Sequence, residues 1–414
     1  MFEANVRRIQ QDLETISTFT ATPGNGITRF SFTDEDRKAR DFICSKMKEA
    51  GLHVYTDAAG NLFGRREGLI GQGPIVMVGS HFDSVRNGGM FDGLAGVVTG
   101  LEIARILHEH NIQTQYPIEF VAMIEEEGSR FGAGLYGSRA MAGQVSQEEL
   151  DGFYDEEGVP LQEALQEFGL TPSRLKEAIR QPEDLKAFIE LHIEQGPVLE
   201  TESMEVGIVN TIVGITRYDI EITGRADHAV TTPMHMRKDA LLAALEVARD
   251  VHHAASEKGE GTVGTVGKLV VYPGGSNIVP GKVLFTVDIR STEQKNIENV
   301  VSRMKDTLNR IEKSEGFTIQ IEQKLLIPPV RLSREIQTYF IEEAKKRGIR
   351  YRSMVSGAGH DAMIMADLTE VGLIFVPSKD GRSHCPEEWT DYEQLKKGVD
   401  VVLGTVMKIA KAIV

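Results

Sequence analysis

Length, composition and charge limit the classes of protein to which this chain can belong. Its 414 residues, 41% of them hydrophobic, exceed the needs of one small core and predict two domains. The 46 Lys and Arg residues against 61 Asp and Glu leave a formal charge of −15, which argues against nucleic-acid binding. No apolar run approaches the roughly 18 residues of a membrane span, so we expect no membrane partner.

The cysteines and the first residues indicate a compartment. Cys44 and Cys385 lie far apart and form no CxxC pair, which fits a reducing environment and excludes a disulfide framework. Residues 1–8 lack the apolar core of a secretory signal. We therefore expect a cytoplasmic protein.

The first third of the chain has the pattern of a βαβ unit. Apolar spacing predicts, in order, two helices, three strands, a helix and a fourth strand. Their ranges are 1–16, 33–51, 53–56, 61–65, 75–78, 93–110 and 118–124. The strands at 75–78 and 118–124 are apolar except for Glu119 and flank the helix, which predicts an open α/β sheet.

Side chains that bind metals follow both buried strands. His81, Asp83 and Asp92 lie in the glycine-rich loop 79–93, and residues 125–127 are three consecutive glutamates. An open α/β sheet binds its ligands outside the carboxyl ends of the strands. Three adjacent carboxylates are costly unless a cation neutralises them, and the alternative is a solvated acidic turn. The position of the triplet beside the His81 loop favours the metal site.

Later segments bring further candidates to strand ends. After a polar, helical and peripheral stretch at 146–184, a strand delivers His192 and Gln195 to a glycine-terminated end. Five of the eleven histidines lie after or between strands, namely His81, His192, His228, His360 and His384. One such histidine is usually solvated, whereas five beside acidic clusters indicate a site.

Imidazole together with carboxylate suits Zn, Mn, Co or Ni. The loop groups could hold two ions if one carboxylate bridges them, and a carboxylate that does not ligate could act as general base. Spacing alone leaves open which carboxylate has which role.

The middle of the chain predicts a separate α+β domain. Strands at 217–223, 264–272, 283–290 and 317–322 alternate with helices at 238–257 and 296–315, in the ferredoxin-like order β-α-β-β-α-β. The predicted division is therefore a first part of the metal-binding domain at 1–212, an inserted domain at 213–327 and a second part of the metal-binding domain at 328–414. Within the insert, Arg290 could clamp a substrate carboxylate, although a surface ion pair is the commoner role of such an arginine.

Seven motifs, taken together, resemble those of the M20 family of metal-dependent amidohydrolases. They are Gly-Ser-His-Phe-Asp-Ser-Val with Gly-Gly-Met-Phe-Asp-Gly (79–93), Glu-Glu-Glu-Gly-Ser-Arg-Phe (125–131), Glu-Leu-His-Ile-Glu-Gln-Gly (190–196), Asp-His-Ala with Thr-Thr-Pro-Met (227–234), Ser-Asn-Ile-Val-Pro-Gly (276–281), Ser-Gly-Ala-Gly-His-Asp-Ala (356–362) and Ser-His-Cys-Pro-Glu-Glu (383–388). The resemblance is to the branch with allantoate amidohydrolase and N-carbamoyl-L-amino acid hydrolase. It implies a mixed-sheet catalytic domain of the M20 zinc-hydrolase type, formed by 1–212 and 328–414, with an inserted ferredoxin-like domain at 213–327 that serves in dimerisation and as a lid.

The resemblance also implies residue roles. Two divalent metals, Zn or Mn with Co or Ni as alternatives, would be held by His81, Asp92, Glu127, His192 and His384, with Asp92 as the bridge. Glu126 matches the general base and Asp83 the carboxylate that orients the His81 ring. His228 matches the residue that stabilises the oxyanion, contributed by the partner subunit of a homodimer. Substrate-binding positions correspond to Gln195, Arg217, His228, Asn277, Arg290 and Gly359.

The implied reaction is hydrolysis of a ureido C–N bond in a small substrate that carries a carboxylate. Asn210 to Gly214, Arg217 and Glu125 favour allantoate, which would yield ureidoglycine, ammonia and carbon dioxide, over an N-carbamoyl-L-amino acid. An M20 aminopeptidase or dipeptidase and an inactive binding protein are more remote alternatives. Val230 departs from the family, because a glycine usually follows the His-Ala pair there.

Overall fold

Strands and helices alternate along most of the chain in the computed structural model, which describes residues 2–71, 73–132, 134–259 and 261–413. The chain divides into two units. Unit 1 comprises Met1–Asn210, Leu332–Met354 and His360–Val414, and unit 2 comprises Thr211–Arg331 and Val355–Gly359. The inserted domain predicted at 213–327 thus lies within unit 2, which also takes in a short segment of the later chain.

The strands are β1 (His53–Thr56), β2 (Leu62–Arg66), β3 (Ile75–His81), β4 (Gln113–Thr114), β5 (Ile118–Met123), β6 (Leu185–Ile193), β7 (Val206–Ile212), β8 (Gly214–Thr223), β9 (Thr262–Tyr272), β10 (Lys282–Ser291), β11 (Thr318–Ile327), β12 (Val330–Arg331), β13 (Tyr351–Ser356), β14 (Val371–Val376) and β15 (Ala412–Ile413). The helices are α1 (Val6–Ser17), α2 (Asp34–Glu49), α3 (Leu94–Glu109), α4 (Tyr136–Met141), α5 (Gln147–Gly152), α6 (Leu161–Phe168), α7 (Val198–Thr201), α8 (Ala240–Ser256), α9 (Gln294–Glu315), α10 (Arg334–Arg347), α11 (Asp361–Met365) and α12 (Tyr392–Ile409). In the described ranges, no helix combines the length and the apolar composition that crossing a bilayer requires.

The main sheet of unit 1 is mixed. Its strands follow the order β1-β2-β5-β3-β6-β14-β7, and β13 also pairs with β7. The four central strands β5, β3, β6 and β14 are parallel to one another, whereas β2 and β7 join them antiparallel. The carboxyl ends of the four parallel strands therefore meet at one edge, and the predicted α/β class with a mixed sheet is confirmed.

Alternate residues of the parallel strands pack against helices. Val76 and Val78 of β3 and Leu191 of β6 are buried in one cluster with Leu101 of α3 and Val402 of α12. Burying each of these side chains contributes about 1.5–3 kcal/mol. The strand ends that carry polar residues are therefore fixed by an apolar core directly behind them.

One strand runs further than the sequence pattern predicted. The apolar run ended β3 at Val78 and placed His81 on a loop, but β3 extends to His81, which pairs with Met123 of β5. His192 lies inside β6, which ends at Ile193, so Gln195 lies beyond the strand. The extension of β3 needs Gly79, because a Cβ there would lie 1.9 Å from the Val121 carbonyl oxygen. A glycine followed by polar residues does not look like a buried strand in sequence, although it is one here.

Unit 2 has the predicted ferredoxin-like arrangement. Its elements run β8-α8-β9-β10-α9-β11, and the antiparallel sheet has the order β11-β8-β10-β9. Residues of α8 and α9 form one buried cluster with Ile220, Phe285 and Ile289 of the sheet. Since side chains alternate along a strand, Arg217, Asp288 and Arg290 point to the opposite, uncovered face.

Candidate metal centre

The carboxyl edge of the parallel strands in unit 1 gathers the predicted metal-binding residues. His81 ends β3, His192 is the penultimate residue of β6, and Glu127 follows β5. His384 lies on the segment between β14 and α12, and Asp92 lies in the turn that leads into α3. Strand topology thus explains why residues up to 300 positions apart in sequence occupy one place.

Asp92 lies at the centre of the cluster. One of its oxygens, Oδ1, is 3.2 Å from His192 Nε2 and 3.5 Å from His81 Nε2. The other oxygen, Oδ2, is 3.2 Å from His384 Nε2, and Glu127 Oε1 is 3.4 Å from the same nitrogen. The two oxygens of one carboxylate therefore face two different sets of imidazoles, which is the arrangement of a bridging ligand.

Among the described residues, three groups of side chains each have ligand atoms that lie within 4.8 Å of one another. They are His81 with Asp92 and His192, Asp92 with Glu127 and His384, and His81 with Glu126 and Glu127. The first two groups share Asp92 and contain all five residues predicted to hold the metals. The third group contains Glu126, so proximity alone does not separate a ligand from a base.

Asp83 connects the β3 loop to the glutamate triplet. Its Oδ1 lies 3.5 Å from His81 Nδ1 and accepts a hydrogen bond from the Glu126 backbone amide at 3.1 Å, while Oδ2 accepts one from the Glu127 amide at 3.1 Å. His81 Nδ1 is also 3.2 Å from the Asp83 carbonyl oxygen. Asp83 therefore contacts the His81 ring and holds the backbone amides of Glu126 and Glu127 in place.

Gly93 leaves room for the His81 ring. A Cβ on Gly93 would lie 2.3 Å from His81 Cε1, and its φ of +62° is one that side-chain-bearing residues rarely adopt. Gln195 and His384 also have positive φ, 56° and 55°. Non-glycine residues in this conformation are uncommon and concentrate at functional sites, where the surrounding structure holds them.

The electrostatics of the cluster favour a cation. Burial opposes ionisation of Asp92, yet its hydrogen bonds with His192, His384 and His81 hold its pKa well below the ordinary value. Burial, together with the Asp92 charge, raises the pKa of Glu127 to about 8. Among the described residues, buried Glu127 Oε1 accepts no hydrogen bond. A bound divalent metal would supply the partner that this carboxylate oxygen lacks. The imidazole and carboxylate donors therefore fit the metals that the resemblance implies.

Gln195, predicted to bind substrate, contacts the metal ligands in this structure. Its Nε2 donates to Asp92 Oδ2 at 2.8 Å and lies 3.3 Å from His384 Nε2. Its backbone amide donates to Ser378 Oγ at 3.0 Å. The side-chain amide of Gln195 thus lies at the edge of the cluster, where it could contact a bound substrate.

Sequence reasoning missed two carboxylates behind the predicted metal ligands. Glu388 Oε1 accepts from the Phe91 and Asp92 amides, and Glu190 accepts from Ser80 Oγ and the Ala362 amide. Both glutamates are buried. The available signal in the sequence was Glu190 itself, a charged residue within an otherwise apolar strand. Apolar spacing does not identify the residues to which such a carboxylate hydrogen-bonds.

Unit 2 brings together the predicted arginines. Asp288 accepts from Arg217 Nη2 at 3.0 Å and from Arg290 Nε at 2.9 Å, and these bonds, against the effect of burial, lower the pKa of Asp288. Arg290 Nη1 donates to the Gly357 carbonyl at 2.8 Å, two residues before Gly359. The two guanidinium groups therefore share one carboxylate on the uncovered face of the sheet.

His228 and Asn277 lie on adjacent loops of unit 2. The Ala229 amide donates to the Asn277 carbonyl at 2.9 Å, and His228 pairs with Ile278 in an isolated bridge. His228 Nδ1 accepts from the amides of Val230 (3.1 Å) and Thr231 (3.4 Å). In the neutral ring the hydrogen is therefore on Nε2, which is free to donate. Val230 is not among the residues with positive φ in the described ranges, so a β-branched side chain fits here.

The chain therefore combines a mixed α/β sheet that carries a cluster of possible metal ligands with a ferredoxin-like insert, which is the architecture of a class of metal-binding α/β proteins. A model of Peptidase family M20/M25/M40 matches residues 77–408, and the chain belongs to this family.

Comparison with similar proteins shows to which branch of this family the chain belongs. The chain is 47% identical over 406 residues to an N-carbamoyl-L-amino-acid amidohydrolase of Paenarthrobacter aurescens, covering 98% of both chains. It is 35% identical to an allantoate amidohydrolase of Bacillus subtilis, covering 96% of each. A solved amidase of the hydantoinase/carbamoylase family from Burkholderia multivorans aligns with a TM-score of 0.89 and 36% identity over 99% of this chain and 98% of that one. The predicted branch is confirmed, and the chain is a hydrolase.

Proposed function

We propose that the protein hydrolyses the ureido C–N bond of N-carbamoyl-L-amino acids with two divalent metal ions, Zn or Mn. The observation that carries this proposal is Asp92, whose two oxygens face His81 with His192 on one side and His384 with Glu127 on the other. Sequence motifs favoured allantoate as the substrate. The chain is 47% identical to an N-carbamoyl-L-amino-acid amidohydrolase and 35% identical to an allantoate amidohydrolase, so we prefer N-carbamoyl-L-amino acids as the substrate.

The residues of the chain divide the work of the reaction. Metal ions at these ligands supply Lewis-acid polarisation and lower the pKa of a water molecule. Glu126 takes a proton from the attacking water and passes it to the leaving nitrogen. The ureido carbon gains the water oxygen and loses the amino-acid nitrogen, and the carbamate that forms breaks down to ammonia and carbon dioxide.

The family motifs assign other residues to the remaining parts of the substrate. His228, which the motifs imply is contributed by the partner subunit of a homodimer, donates from Nε2 to the carbonyl oxygen as charge develops on it, which is the role of an oxyanion-hole donor. Arg290 binds the substrate carboxylate with its guanidinium group, and Gln195, Asn277 and Gly359 contribute further polar contacts. These assignments follow the family motifs, and the two amides that donate to His228 Nδ1 support the one made for His228.

Allantoate is the second candidate substrate, and the pairing of Arg217 with Arg290 favours it. Both arginines contact Asp288, so a second guanidinium group lies next to the proposed carboxylate clamp. Allantoate carries two ureido groups, and Arg217 could donate a hydrogen bond to the carbonyl oxygen of the second one. An N-carbamoyl-L-amino acid has no such group.

The proposal is tested by measuring ammonia release from N-carbamoyl-L-amino acids, allantoate and dipeptides in parallel, with Zn or Mn added. We expect turnover of the first, measured as ammonia and free amino acid in equal amounts. Faster turnover of allantoate would replace the first substrate by the second. Cleavage of dipeptides alone would make the protein a peptidase, and no turnover of any substrate by metal-loaded protein would support a binding role.

Replacing Arg290 with glutamine should raise KM for N-carbamoyl-L-amino acids while kcat changes little. A charge-assisted hydrogen bond contributes about 1.5–3 kcal/mol, and its loss corresponds to a KM increase of roughly 10–150-fold. Steady-state kinetics on the variant measure both constants. Arg217→Gln is the matched control, because it removes the neighbouring arginine and should affect allantoate more than the carbamoyl substrate. An unchanged KM in Arg290→Gln would remove the carboxylate clamp from the model of binding.

We also propose a cytoplasmic homodimer. Both cysteines are free, which suits a reducing compartment. In unit 2, β9 is an edge strand and Leu242 and Leu245 are exposed on α8, so an apolar surface and a sheet edge are both open to a second copy. Light scattering during gel filtration should give twice the 45.7 kDa of one chain, and a mass of one chain would exclude the dimer.

A further inference from the structure

Glu388 joins the two loops that carry Asp92 and His384. It is 4% exposed and lies four residues after His384. Its Oε1 accepts hydrogen bonds from the Phe91 amide at 2.9 Å and from the Asp92 amide at 3.0 Å. The carboxylate therefore holds the backbone of the central ligand, although it is not in any of the three ligand groups.

A serine extends this contact to the Asp92 side chain. Ser383 Oγ lies 2.7 Å from Glu388 Oε2 and 3.0 Å from Asp92 Oδ2. Glu388 thus touches Asp92 twice, directly at the backbone amide and through one hydroxyl at the carboxylate. A single hydroxyl hydrogen can satisfy only one of the two acceptors fully, so the direction of the Ser383 hydroxyl depends on what occupies the Glu388 position.

The loop is shaped to admit this carboxylate. A Cβ on Gly89 would lie 2.2 Å from Glu388 Oε1, so the Gly89 backbone lies directly against the Glu388 carboxylate. Trp389, the single tryptophan of the protein, packs edge-on against Phe91 with ring centroids 5.3 Å apart. Polar and apolar contacts of neighbouring residues therefore join the same two loops.

We propose that Glu388 is a positioning residue that fixes Asp92 and His384 relative to each other and thereby sets the affinity of the site for divalent metal. Loss of a residue that orients metal ligands typically lowers metal affinity about 10–100-fold. The inference rests on the metal site of the proposed function and does not depend on the identity of the substrate.

The test is a titration of metal-free, full-length protein with Zn²⁺, followed by Trp389 emission and checked by metal analysis after dialysis. Glu388→Ala should lower Zn²⁺ affinity at least tenfold. Glu388→Gln should stay within about threefold of wild type, because its oxygen still accepts both amides and its NH₂ directs the Ser383 hydroxyl to Asp92. Glu387→Ala is the matched control, since that exposed neighbour pairs only with exposed Arg382 among the described residues, and we expect no change.

A second variant keeps the inference testable if Glu388→Ala does not fold, as judged by circular dichroism. Gly89→Ala removes no polar group but displaces the Glu388 carboxylate, and it should also lower Zn²⁺ affinity at least tenfold. Affinities in Glu388→Ala or Gly89→Ala within threefold of Glu387→Ala would overturn the proposal. Because no substrate is used, wild-type protein that binds Zn²⁺ but hydrolyses nothing would contradict the proposed function and leave this comparison intact.

Discussion

Replacement of Glu126 by glutamine is expected to lower kcat by about 10²–10⁴-fold, the usual contribution of general acid–base catalysis, with little change in metal content. Glutamine keeps the volume and the backbone amide that Asp83 Oδ1 holds at 3.1 Å, so the loop should retain its position. What is lost is a carboxylate that can take a proton from water and return it to the leaving nitrogen. Steady-state kinetics and metal analysis of the same preparation measure both effects.

The environment of Glu126 suits this role. Burial, opposed by the nearby His81 but reinforced by Glu127 and Asp361, raises the pKa of Glu126 well above the ordinary value. A carboxyl group with a raised pKa is a stronger proton acceptor, which is how buried carboxylates serve as bases near neutral pH. Its Oε2 is 3.7 Å from His81 Nε2, beyond hydrogen-bond distance, so the carboxylate is not committed to that ring.

Glu127→Gln is the matched control, because it makes the same chemical change one residue further along. Glu127 faces His384 and belongs to a ligand group with Asp92, so we expect this variant to lose about one equivalent of metal per chain. Glu126 also belongs to a possible ligand group, with His81 and Glu127. If Glu126→Gln lost metal and Glu127→Gln did not, the roles of the two glutamates would be exchanged.

The sequence predicted those parts of the fold that depend on apolar periodicity. The ferredoxin-like order of unit 2 was predictable because its strands alternate and its helices carry one apolar face, as Phe285 and Ile289 illustrate. The end of β3 was not, because Gly79, Ser80 and His81 are buried by their neighbours in the sheet rather than by their own hydrophobicity. Tertiary pairing, which a local pattern cannot register, decides such cases.

The candidate site divides in the same way. Family motifs predicted which residues bind the metals, and strand topology places three of them, His81, Asp92 and His384, next to one another. The residues that hold the ligands were not predictable, since Glu388 reaches Asp92 across 296 positions and no spacing rule relates them. Val230 is the converse case. Its departure from the family glycine is compatible with this structure, because its backbone amide, not its side chain, contacts the His228 ring.

Replacement of His228 by alanine is expected to lower kcat by about 10²–10³-fold, the effect of removing one oxyanion-hole donor, with little change in KM. Two backbone amides point at Nδ1, which leaves the hydrogen of the neutral ring on Nε2, so the imidazole is prepared to donate before substrate binds. A donor that gains strength only as negative charge develops acts on kcat. This separates His228 from Arg290, whose loss should act on KM.

Val230→Gly is the control for His228→Ala. It restores the glycine usual in the family while keeping the amide that donates to Nδ1, and we expect kcat within about threefold of wild type, since a surface substitution away from such contacts typically changes free energies by no more than about 0.5 kcal/mol. Kinetics of both variants on the preferred substrate decide between two roles for His228. If His228→Ala instead raised KM by about 10²–10³-fold and left kcat unchanged, the imidazole would bind substrate and transition state equally well. The oxyanion role would then have to be assigned to another donor.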